Sequence, residues 1–167
     1  AAEAPCYTGF LSQMGLLLWA AAAAICLFGA NALSGHPDRA DLRGFLTVAG
    51  LLTVALGLDD AFLLHESAYC HLGVPELVPF LAYSGVLLYC LVRFHSTVRQ
   101  TDYLPLAVAL ISFGISAGAD FWVGTHAPES YFYLLEDGPK LIGIVSWLAY
   151  FFHVATLAIA PGAASRP

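Results

Sequence analysis

Apolar residues in this chain fall in long unbroken stretches, with little of the alternation that marks half-buried strands. A membrane-crossing helix takes about 20 mostly apolar residues. Five stretches meet that length, at roughly residues 12–33, 44–64, 77–95, 103–123 and 139–160. The first, through Ala20–Ala24, is apolar on every side, as a lipid-facing or tightly packed helix would be. Turn chemistry separates the stretches at Ser34-Gly35-His36-Pro37-Asp38, at Gly73-Val74-Pro75, and from Gly124 to Asp137. No long linker and no internal repeat divides the chain. The pattern predicts an all-α, polytopic integral membrane protein: one transmembrane domain over residues 1–167, built as a five-span helical bundle.

Composition sharpens this picture. Of the 167 residues, 59% are hydrophobic and 11% charged, against roughly 25% charged in a soluble domain. So few charges could not cover the surface of a folded chain in water. Disorder and a disulfide-stapled secreted module are excluded on the same grounds. A net charge of −6 argues against a nucleic-acid partner.

Charge also orients the spans. Arg39, Arg43, Arg93, Arg99 and Arg166 fall on one face of the five-span arrangement and Lys140 alone on the other. The positive-inside rule then puts the N-terminus outside, the C-terminus in the cytoplasm, and the protein in the cell (inner) membrane or its equivalent. The chain starts at Ala1, which is compatible with a removed signal peptide. Cys6 and Cys70 fall in outer segments where a disulfide is permitted, whereas Cys26 and Cys90 read as small packing residues inside spans.

An ionisable side chain at mid-membrane costs at least ~2.5–3.5 kcal/mol, so each needs a partner or a task. Asp59 lies about 22 Å beyond Gly44 along span 2, and Asp120 about 24 Å beyond Leu104 along span 4. Both spans run outward, so the carboxylates reach similar depth. Ser112, Ser116 and Asp120 form a polar stripe, and Gly114 with Gly118 makes a small-xxx-small pair suited to close helix approach. In Glu136-Asp137-Gly138-Pro139-Lys140, Pro139 suits a first helical turn, with carboxylates before it at the positive end of the dipole.

These residues support three kinds of chemistry. One is an ion-pair cluster in which Asp59, Asp60, Asp120 and Asp137 gather around Lys140 and staple helices together. Another is a divalent metal held by Asp60, His65, Glu66, Asp120 and Glu136, lowering the pKa of a bound water with Glu66 or Glu136 as catalytic base. The last is a b-type haem between His95 and His153, which end up at similar depth on spans 3 and 5. On the face of span 5, His153 continues a series of Gly143, Ser146 and Tyr150.

The spacing Glu136-x-x-x-Lys140 is similar to the acidic residue and Schiff-base lysine of microbial rhodopsins, but those carry the lysine mid-span in a seventh helix. The intramembrane Asp, Ser and His resemble, in residue type alone, the alkaline-ceramidase-like membrane hydrolases. That resemblance implies a bound metal and a lipid-like substrate; its seven spans and paired His on the last helix are absent here. The leading expectation is an accessory or structural subunit of a membrane complex, with lipid and other membrane subunits as partners. A metal-dependent membrane hydrolase comes next, then a proton or cation pathway or a haem protein.

Overall fold

The structure, a computed structural model, describes residues 10–64, 73–75, 77–126 and 132–160, without the side chains of residues 11, 120–126 and 132–136. Cys6, His65, Glu66 and Cys70 therefore lie outside the described residues. Every regular element described is helical: α1 Phe10–Ala32, a single 3₁₀ turn at Pro37–Arg39, α2 Ala40–Phe62, α3 Leu77–Arg93, α4 His95–Gln100, α5 Leu104–His126 and α6 Phe132–Ile159. Among the described residues, three helices are long and apolar enough to cross a membrane, over Ser12–Ala32, Pro37–Phe62 and Asp137–Ile159. Leu77–Arg93 is a shorter apolar helix, and Leu104–Ala119 is the apolar part of α5 among the residues described with their side chains.

The packing order follows from residue size. α1 sits between α2 and α6, and α6 is flanked on its other side by α5. α1 can occupy the middle because its inward positions are small: Ala22, Ala23, Cys26 and Ala30 are buried. At Gly29 an added Cβ would lie 3.2 Å from the Cβ of Ala155 on α6, so the two backbones meet there. This is helix association by small residues, the usual route where lipid removes any hydrophobic gain from contact. Aromatic rings fill the space that remains. Trp19 stacks on Phe113 at 5.6 Å, and Phe151 packs against Trp147 at 4.8 Å and Phe45 at 5.6 Å.

α3 is different. It buries only Pro79 and Cys90 and leans mainly on α2, leaving Leu77, Leu81, Leu88 and Val92 exposed. Its helix breaks at Phe94 before resuming as α4.

Two expectations from sequence are corrected. Pro139 does not open the last helix; α6 begins at Phe132 and carries Pro139 in its interior. Membrane helices tolerate this because neighbouring groups take up the freed backbone carbonyl. Among the described residues, Gly114 and Gly118 form no packing seam either. A Cβ at either would meet nothing within 4 Å, and both face outward. The close approach between α5 and α6 falls at Gly143, where a Cβ would lie 2.6 Å from the Phe113 ring.

Candidate functional site

α2 and α6 run antiparallel, both packed against α1, and their side chains meet each other. Near one end Lys140 Nζ donates to Asp60 Oδ1. Seven residues back along α2, Thr53 accepts a hydrogen bond of 3.0 Å from the indole Nε1 of Trp147, seven residues on along α6. Seven residues are two helical turns, about 10 Å, so the contacts share one antiparallel register. At the far end Arg39 Nη1, just ahead of α2, donates to the carbonyl of Ala158 at 2.8 Å, near the close of α6. Thr53 is fully buried and also donates to Ala49 O at 2.7 Å, so its hydroxyl is used both as donor and acceptor.

The Asp60–Lys140 pair passes over α1 at Gly15. A Cβ at Gly15 would stand 3.9 Å from Asp60 Oδ2 and 3.3 Å from Ile144 Cδ1. Any longer side chain there would enter the space the ion pair spans. Ten per cent of the Asp60 side chain is exposed, against 34% of Lys140. The carboxylate is the committed partner and the ammonium keeps contact with water. A small, open cleft lies beside them, lined among the described residues by Ser12 and Gly15 of α1, Asp60 of α2, and Asp137, Lys140, Leu141 and Ile144 of α6.

Adjacent residues on a helix point about 100° apart, so Asp59 and Asp60 cannot serve the same neighbour. Asp59 turns towards α3, where Tyr83 Oη donates to its Oδ1 at 3.3 Å. α2 ends just beyond, on Leu63 in the left-handed conformation (φ 48°), whose N–H bonds to Asp59 O. Glycine or asparagine normally takes that position. A leucine there holds strain next to the two aspartates.

The remaining sequence candidates are dispersed. Asp137 lines the cleft, half-buried, on the turn before Lys140. The side chains of Asp120 and Glu136 lie outside the described ones, as do His65 and Glu66 altogether. Among the described residues no three His, Cys, Asp or Glu side chains converge as a metal site would require. His95 is exposed, with Nδ1 3.2 Å from Val92 O at the end of α3, and His153 is exposed on α6. Tyr150, placed with His153 on one face by sequence spacing, is instead fully buried, with its hydroxyl 3.0 Å from Thr101 Oγ1. Ser112 and Ser116 are buried on the inward face of α5. Trp19 Nε1 is buried with no hydrogen-bond partner among the described residues.

Sequence reasoning passes over Gly15, Thr53, Tyr83 and Trp147. A signal for two of them exists: Thr53 and Trp147 sit seven residues from Asp60 and Lys140, in opposite chain directions.

Residues 1–154 match a family described as a domain of unknown function (DUF8692), and the chain belongs to that family. No curated protein matches the chain, and no solved structure does.

Proposed function

From that membership and this geometry, we propose that the chain is a membrane-embedded structural subunit of a larger membrane assembly. It has five spans, an extracytoplasmic N-terminus and a cytoplasmic C-terminus, and Asp60–Lys140 acts as a clasp. The observation that carries the reading is the shared register of Asp60–Lys140 and Thr53–Trp147. Polar side chains inside the bundle are engaged with one another across helices, which is architecture. Tyr83–Asp59 and Tyr150–Thr101 extend the same pattern. The sparsely buried α3 is the face such a subunit presents to lipid and to its neighbours.

The decisive measurement is a double-mutant cycle on thermal stability in detergent, with Asp60→Asn, Lys140→Met and the pair. A clasp makes Lys140→Met strongly destabilising and lets Asp60→Asn recover much of that loss, because the stranded charge is then gone. A coupling energy near zero rejects the clasp. For the topology, a reporter fused after Pro167 should be active only on the cytoplasmic side; activity confined to the exterior reverses the orientation.

A further inference from the structure

α3 is joined to the bundle differently at its two ends. At its last turn it is anchored. Cys90 and Phe94 enter the core, and a Cβ on Gly44 of α2 would lie 3.2 Å from the Phe94 ring. That ring also lies 5.7 Å from Phe45, and the Arg93 guanidinium sits 5.0 Å from its centre. The opening turns are loose. Over residues 77–82 Pro79 alone is buried, and Leu77, Val78, Phe80 and Leu81 are each half or more exposed. Between the ends, α3 turns Tyr83 and Leu87 towards the core where α1 turns alanine and glycine. Large side chains at a contact keep two backbones apart, so α3 gains little of the close packing that holds α1.

The backbone supplies a joint at the anchored end. Phe94 leaves the helical range, with φ −111° and ψ 25°, so α3 is a rod that ends on a break. About 16 Å along the helix from that break, Tyr83 Oη donates to Asp59 Oδ1 at 3.3 Å. That is long for an O–H···O bond, so the contact is a weak one. Asp59 itself is buried. We infer that α3 is a hinged door: it pivots at Phe94, the Tyr83 hydroxyl latches it to Asp59, and its far end swings from α2 to uncover that carboxylate. Segments that bury little surface open at a fraction of the cost of global unfolding, and hinges are a few residues at element ends. The two neighbouring acids are thereby divided: Lys140 holds Asp60 in the clasp, and Asp59 lies under the door. The inference goes beyond the subunit role and does not depend on it.

The test uses the full chain in lipid nanodiscs, carrying Cys6→Ser and Cys70→Ser, with the buried Cys26 and Cys90 left in place. Nitroxide labels on Leu81→Cys and Ile142→Cys, both exposed positions, read the swing by double electron–electron resonance. A second pair, Val92→Cys with Ile142→Cys, reads the foot of α3 beside the joint. Tyr83→Phe should raise the longer-distance population of the first pair about fivefold, the net worth of one hydrogen bond. It should leave the second pair unchanged. Asp59→Asn should act in the same direction by less, because an amide oxygen still accepts, and it serves if Tyr83→Phe fails to fold. A first-pair distance that neither substitution lengthens overturns the inference. Equal lengthening of both pairs also overturns it, because α3 then leaves the bundle whole and Phe94 is no hinge.

Discussion

Helix α2 carries an ion pair at each end, and the two ends behave as opposites. At its start Asp41 meets Arg93 of α3 at 3.0 Å, with side chains 71% and 51% exposed. At its finish Asp60 meets Lys140 of α6 with only 10% of the carboxylate exposed. Both pairs are in direct contact, so separation does not distinguish them. Water does. Around Asp41–Arg93 solvent screens the attraction, and each long side chain loses freedom to hold one pose. Around Asp60 the carboxylate has given up most of its hydration, and Lys140 is what makes that tolerable. A contact of one chemical kind is thus dispensable at one end of the helix and structural at the other.

Substitutions should reproduce this asymmetry in graded form. The largest loss belongs to Lys140→Met, about 3 kcal/mol, the lower end for stranding a buried charge, because the cleft admits some water. Thermal melts of the Asp60/Lys140 cycle read it directly. Next comes Thr53→Val, which keeps the shape of the side chain but leaves the buried Trp147 N–H without an acceptor. About 1–3 kcal/mol should be lost, with a change in tryptophan emission. A melting curve identical to wild type would show that the polar contacts between α2 and α6 are independent. Smallest is Arg93→Ala, worth less than about 1 kcal/mol and fading further in high salt. A loss as large as that of Lys140→Met would erase the distinction between the ends.

What the sequence makes legible follows the same division. Long apolar runs announce α1 and α2, because lipid demands length and little else. The true start of α6 at Phe132 is hidden by Pro139, which carries the local signature of a first turn and sits mid-helix because membrane helices accept proline there. The break at Phe94 is equally silent, since His95–Gln100 continues a helical composition. At the site, the sequence offers four carboxylates for Lys140 and no way to rank them. Rotation of α2 makes the choice between Asp59 and Asp60, and that rotation is set by small residues on α1 which read as filler in the linear chain. Gly15 is legible only once two helices flank it, and Gly114–Gly118 misleads because spacing alone does not say which face a helix turns inward.

The Asp60–Lys140 contact joins residues 80 positions apart. A ribosome adding about 5–20 residues per second spends roughly 4–16 s between the two. Throughout that interval the α1–α2 hairpin exists with its carboxylate made and its lysine not yet synthesised. Asp60 must wait at the water-facing edge until α6 arrives beside α1 and α2. Insertion of the last helix is therefore the step that completes the electrostatics of the second. A chain cut short before Lys140 leaves the ribosome with Asp60 lacking the lysine it contacts in the complete bundle.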